Sequence, residues 1–176
     1  MDTREFNVQH TSETEWEEII GLFDLAMQLD GKNGYKVWNY IDEDGLRNDI
    51  RSKKQYKIVQ HGDIVCLFSI QYADPHIWKE REQGDALYLH RIVVNPKFKG
   101  QKHFEKVLRW AREHAQESGF KFIRMDTWAD NDRIINYYKS FGFDFIGNHT
   151  TGSEAELPIQ NRNLKVALLQ LPLTAT

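Results

Sequence analysis

Two stretches of this 176-residue chain combine residue types and spacing that could do chemistry. The first runs from Asp130 to Phe143, D-N-D-R-I-I-N-Y-Y-K-S-F-G-F, with Tyr138 placed seven residues after Asn131 and four before Gly142-Phe143. On a helix that opens near Asn131, Ile134, Tyr138 and Phe141 share one apolar face. The phenol is then half buried and its hydroxyl needs a partner, which fits either a satisfied core tyrosine or a placed proton donor. The second stretch is K-F-K-G-Q-K, between Pro96 and a long helical pattern. It brings Lys97, Lys99 and Lys102 to a helix N-terminus, with Lys106 one turn further on. Cations there oppose the helix macrodipole, so the cluster suits an anion shared between ammonium groups and free backbone amides; the alternative is a solvated basic turn.

The elements that would position these groups can be read from periodicity. Phe6 to Gln9 alternates as a short strand. Ser12 and Glu15 form a capping box before a helix whose Trp16, Ile19, Ile20, Phe23 and Met27 share a face, with Gly31 and Asn33-Gly34 as its stop. Gly45 to Ser52 reads as a second helix. Tyr56 to Gln60 and Ile64 to Tyr72 flank the hairpin signal His61-Gly62-Asp63. Leu87 to Val94 reads as a central strand ended by Asn95-Pro96. Gln101 to Glu117 is the longest helix, with Phe104, Val107, Leu108, Ala111 and Ala115 inward, and Gly119 ends it. Phe120 to Thr127 is a strand, Asn131 to Phe141 a helix, and Phe143 to Ile146 and Leu164 to Leu171 are closing strands. This order places the chain in the α/β (α+β) class. The central strand, the long helix and Phe120 to Thr127 form one βαβ unit, so those strands should be parallel, with a ligand at their carboxyl ends.

The strand L-Y-L-H-R-I-V-V-N-P (Leu87 to Pro96), the turn K-F-K-G-Q-K-H-F and the spacing N-x6-Y-x3-G-F together resemble the GNAT superfamily of acetyl-CoA-dependent N-acyltransferases. The resemblance is close over residues 87 to 146. It implies one domain over 1–176: a mixed, mostly antiparallel sheet of six to seven strands with about four helices. It also implies acetyl-CoA as co-substrate, with Lys99, Gly100, Gln101, Lys102, His103, Phe104 and Glu105 at the pyrophosphate and Asn131 as a further contact; an N-cap role explains Asn131 as well. The family's turn pattern R/Q-x-x-G-x-G/A becomes Lys99-x-x-Lys102-x-Phe104 here, so both later glycine positions carry larger side chains.

The same resemblance implies direct attack of an amine on the acetyl thioester. Backbone amides of Ile92, Val93 and Val94 would hold the carbonyl oxygen. Tyr138 takes the position of the general acid, and a phenol of pKa ~10 can protonate a thiolate whose thiol has pKa ~8.5. Tyr137 lies about 100° away around the helix. The base is left open: His90, on the face of Ile92 and Val94 with an ordinary pKa of ~6.5, is the leading candidate beside a water chain, with Asp85 and Glu82 as weaker ones. Trp38, Trp78 and Asp85 are expected to wall the acceptor pocket, and aromatic faces beside acids would favour a cationic amine.

Composition narrows the classes. A net charge of −3 gives no reason to expect nucleic acid or an anionic membrane as partner. Cys66 is the sole cysteine, which excludes an internal disulfide and suits a reducing compartment, with cytoplasm as the default. Neither a signal peptide nor a membrane-spanning run is expected from the polar opening residues and the short apolar runs. The histidines lack metal-ligand spacing, so no metal is expected. An uncovered sheet edge could dimerise. The competing class is a non-catalytic GNAT-fold module that senses CoA or another ligand, motivated by the missing turn glycines.

Overall fold

The computed structural model describes residues 6–32, 41–157 and 161–174. Trp38, expected in the acceptor pocket, lies outside them. The described strands form a seven-stranded sheet of order β1-β2-β3-β4-β5-β7-β6, defined by β1 (Asn7–His10), β2 (Gln55–Gln60), β3 (Asp63–Gln71), β4 (Ala86–Val94), β5 (Phe122–Trp128), β6 (Asp144–Thr150) and β7 (Lys165–Pro172). Five α-helices accompany it among the described residues: α1 (Trp16–Lys32), α2 (Glu43–Arg51), α3 (Pro75–Trp78), α4 (His103–Glu117) and α5 (Asp132–Lys139). The element order is the expected one with α3 added. This is the mixed, mostly antiparallel α/β fold. The chain divides into two compact units, Met1–Ser69 with Arg91–Trp110 and Ile70–His90 with Ala111–Thr176.

In the first unit, β1 and β2 are antiparallel, as are β2 and β3. The hairpin turn has both central residues left-handed, His61 at φ 52° and Gly62 at φ 83°, which suits the right-handed twist of the flanking strands. Ser12 and Glu15 make the expected capping box. Helices α1 and α2 bury Trp16, Ile19, Phe23, Leu46 and Ile50 against Ile64, Leu67 and Val93. Helix α2 opens two residues earlier than its apolar pattern suggests, because Asp42 caps it by accepting from the Gly45 amide. Asn95 ends β4 by pinning itself to β3: its amide donates to Val65 O at 2.9 Å and its Nδ2 to Ile64 O at 2.8 Å.

In the second unit, β4 and β5 pair in parallel, Ala86 opposite Phe122 through Tyr88 opposite Arg124, as the βαβ reading requires. Strand β7 is antiparallel to β5 and to β6. A core cluster joins Ile77, Trp78, Ala86, Tyr88, Leu157, Val166 and Leu168. Gly142 turns the chain from α5 into β6 at φ 102°, and a Cβ there would lie 3.2 Å from Leu171 Cδ1. The turn thus needs glycine for both conformation and space.

Candidate functional site

In the second unit the register of the parallel pair aligns a column of polar side chains. Tyr88 faces Arg124, and their side chains bond, Nη1 donating to the phenol oxygen at 3.0 Å. Two residues along each strand, on the same face, come His90 and Asp126. Asp74 reaches the same place from the loop after β3. Nε2 of His90 lies 3.2 Å from Oδ2 of Asp74. One ligating atom each from Asp74, His90 and Asp126 lie within 4.8 Å of one another.

Asp74 occupies the N-cap position of α3 without capping it. Its side chain turns to His90 instead, and the rest of the residue is fastened in place: its amide donates to Glu82 Oε2 at 2.9 Å and its carbonyl accepts from the Trp78 amide at 3.0 Å. Asp74 Oδ2 is sealed from solvent and has no hydrogen-bond donor among the described residues; its contact with His90 becomes an ion pair when that imidazole is protonated. Burial pushes the Asp126 carboxyl up to about 6, the charge of His90 pulling it down and that of Asp74 adding to the rise.

The surrounding polar residues serve this frame. The buried Arg124 also donates to Gln170 Oε1 at 2.8 Å and Arg81 O at 3.0 Å, and it stacks 4.6 Å from the Trp78 ring centroid. Glu82 accepts from the Tyr88 hydroxyl and from the amides of Asp74 and Gly84. Burial alone would raise its carboxyl; those hydrogen bonds and Arg124 outweigh it and hold the group below the usual range. Burial and the bond to Glu82 push the Tyr88 hydroxyl up. Glu82, a weaker candidate base, is therefore a structural acceptor.

Two expected pocket residues belong elsewhere. Trp78 is 1% exposed and lies within the core cluster, edge-on to Tyr88, so its ring faces protein rather than a pocket. Asp85 sits at the amino ends of the parallel strands, its carbonyl accepting from the Lys121 and Phe122 amides. Its five-residue separation from His90 along an extended strand spans roughly 16 Å, which removes it from the cluster.

Tyr138 is the one buried residue of α5 and is 9% exposed, deeper than the half-burial expected. Its ring lies 5.5 Å from that of Tyr137 and 6.4 Å from that of Phe143. Tyr137 is exposed. Asn131 caps α5, its Oδ1 accepting from the Ile134 amide at 3.1 Å.

In the first unit, the lysine turn has a fold of its own. Gly100 at φ 86° and Lys102 at φ 56° are both left-handed, and α4 begins only at His103. Lys102 thus keeps the backbone conformation that glycine adopts freely. Phe104 is 4% exposed and points into the core, so it does not crowd the outer face of the turn. Lys97, Lys99, Gly100, Gln101, Lys102 and Glu105 are exposed. His103 is an internal clamp, 3% exposed, with Nε2 2.7 Å from Phe98 O. Burial and then the Lys106 charge lower its pKa, with the Phe98 bond opposing. The Lys106 ammonium lies 3.3 Å from Nδ1 of His103, which fixes Nε2 as the protonated nitrogen. Lys106 also donates to Gln60 Oε1 at 2.9 Å, inside the unit rather than at the turn. The side chain of His103 is unavailable to a phosphate, leaving its backbone.

Strand β4 carries a left-handed residue, Arg91 at φ 49°, immediately before Ile92, Val93 and Val94. Its guanidinium is clasped by Asp49 and, at 3.6 Å, by Asp42. Such a kink breaks the regular alternation of the strand.

Residues 51–143 match the Acetyltransferase (GNAT) family. The chain is 33% identical over 84 residues to YesJ, an uncharacterized N-acetyltransferase of Bacillus subtilis, covering 45% of this chain and 44% of that protein. It is 28% identical over 81 residues to a thialysine N-epsilon-acetyltransferase of Bos taurus, covering 46% and 45%. These matches span less than half the length of either curated relative. A GNAT-family acetyltransferase of Listeria monocytogenes superposes with a TM-score of 0.75 at 20% identity, over 96% of this chain and 95% of that one. YncA of Salmonella typhimurium, solved with its cofactor acetyl-CoA, gives 0.64 at 15% identity over 98% and 96%. At these identities the structural likeness is one of fold.

Proposed function

Because this chain belongs to the acetyltransferase (GNAT) family, we propose that it is a single-domain, acetyl-CoA-dependent N-acetyltransferase for the primary amine of a small, cationic acceptor. The observation that carries the reading is the convergence of His90, Asp74 and Asp126 beyond the paired part of β4 and β5, where an α/β sheet presents a ligand. The turn fits the co-substrate. Left-handed Gly100 and Lys102, the exposed Lys97 and Lys99 and an inward Phe104 leave amides and ammonium groups for a pyrophosphate. That fit serves a CoA-sensing module as well, so the case for catalysis rests on the side chains at the carboxyl ends of the strands.

Acetyl-CoA supplies the acetyl thioester. His90, in its neutral form, takes a proton from the acceptor's ammonium group, and Asp74 at 3.2 Å stabilises the imidazolium that results. The freed amine attacks, a C–N bond forming as the C–S bond breaks. Amides of Ile92, Val93 and Val94, next to the Arg91 kink, donate to the carbonyl oxygen as it gains charge. Tyr138 protonates the departing sulfur and is reprotonated from solvent, and the amide nitrogen sheds its remaining extra proton. Asn131 both caps α5 and contacts the co-substrate.

Calorimetry with acetyl-CoA, followed by turnover of Tyr138→Phe, tests this reading. The variant should bind acetyl-CoA with the wild-type affinity and lose at least about tenfold in kcat, the lower range for a positioned acid being larger still. Unchanged kcat would remove Tyr138 as the acid. Absence of acetyl-CoA binding at millimolar ligand would remove the enzyme reading itself.

A further inference from the structure

The cluster of Asp74, His90 and Asp126 is short of positive charge. The charges acting on Asp126 are those of His90 and Asp74, and among the described residues no lysine or arginine pairs with either carboxylate. Arg124, two residues before Asp126 on β5, is committed to Tyr88, Gln170 and Arg81. Two carboxylates that share at most one imidazolium, one of them with a solvent-sealed oxygen lacking any hydrogen-bond donor, make an incomplete arrangement. Asp74 gives up its ordinary use as a helix cap to take part. What completes such a set is a compact cation bearing several N–H donors. An alkylammonium group has one positive charge and three donors, one for each of the three side chains.

Resting on the acyl-transfer reading above, we infer that Asp74 and Asp126, together with His90, form the seat of the acceptor's ammonium group. The acceptor is then a primary aliphatic amine that enters protonated. Asp126 orients the ammonium, His90 takes one of its protons, and Asp74 positions His90. Amines uncharged at neutral pH, such as arylamines, gain nothing from the two carboxylates and are discriminated against. Selection resides at the carboxyl end of β5, away from the acids at the amino end of β4.

The test compares n-butylamine with aniline as acceptors at saturating acetyl-CoA, by thiol release, in the wild type, Asp126→Asn, Asp126→Glu and Asp74→Asn. The wild type should favour n-butylamine. Asp126→Asn should lower the ratio of kcat/KM values, butylamine over aniline, by about 30-fold or more, the low end for unpairing a buried charge contact. Asp126→Glu should restore part of it. Equal losses for both acceptors would overturn the inference while leaving acyl transfer intact. A second arm needs no turnover: n-butylammonium titrated into the labelled protein should shift the imidazole resonances of His90, and Asp126→Asn should weaken that response about 30-fold. Should acetyl-CoA bind yet neither amine be acetylated, the acyl-transfer reading fails, and the His90 titration alone then decides the ammonium seat. An unmoved imidazole, or one that responds to zinc and not to n-butylammonium, overturns it.

Discussion

Replacing Asp126 by asparagine should make the protein more stable, and only above a defined pH. The carboxyl is pushed from 3.8 up to about 6 by burial within the cluster, net of the opposing charges of His90 and Asp74. The folded state therefore binds a proton that the unfolded state releases at lower pH. Below about pH 3.8 the group is neutral in both states and costs nothing. Between pH 3.8 and about 6 stability falls as pH rises, because the folded state is the one holding the extra proton. Above pH 6 the full cost is present, and at ~1.36 kcal/mol per pH unit it is about 3 kcal/mol. Asparagine removes that ionisation, so Asp126→Asn should gain about 3 kcal/mol at pH 8 and almost nothing at pH 3.5. In a chain of this length that is about 6–12 °C in Tm. Chemical denaturation of both proteins from pH 3.5 to 8 measures the difference directly. A destabilised variant at pH 8, or a gain independent of pH, would refute the reasoning. A stabilising change that lowers turnover of a cationic amine is the mark of a site held strained for function.

Two further outcomes follow from the first unit. Arg91→Met should cost about 1.5–3 kcal/mol in urea denaturation, because Asp49, whose side chain is 5% exposed, loses the guanidinium that donates to it; a loss under about 0.5 kcal/mol would show that the clasp is not closed. Lys102→Gly should stabilise by roughly 1 kcal/mol by relieving its left-handed backbone, while weakening acetyl-CoA binding through the lost ammonium. Destabilisation by this change would mean that residue 102 is not left-handed.

Local chemistry was legible in the sequence where a single element decides it. Ser12 with Glu15, Asn131 before α5 and His61-Gly62 between two strands each act on amides a few residues away, and the structure places each as its residue type predicts. The parallel pairing of β4 with β5 followed from the helix between them. The partners of His90 were hidden because they come from three separate segments. Asp74 lies between a strand and a short helix that periodicity did not mark, and Asp126 shares its strand with the polar Arg124 and Thr127. A signal for Asp126 existed: once the two strands are parallel, an acid in a buried strand demands a partner, and the register supplies His90. Side-chain direction was the other missing quantity. Trp78 was read at the pocket because of where it falls in the chain, while the structure turns it inward.

The central claim is acyl transfer itself, and it is tested most directly by following thiol release from acetyl-CoA in the presence of a primary aliphatic amine, with the acetylated product identified by mass. Stoichiometric release and N-acetylation, lost in His90→Gln and in Tyr138→Phe, is the result the account predicts. Tight acetyl-CoA binding with no thiol released by any amine would contradict it and leave a binding module in its place.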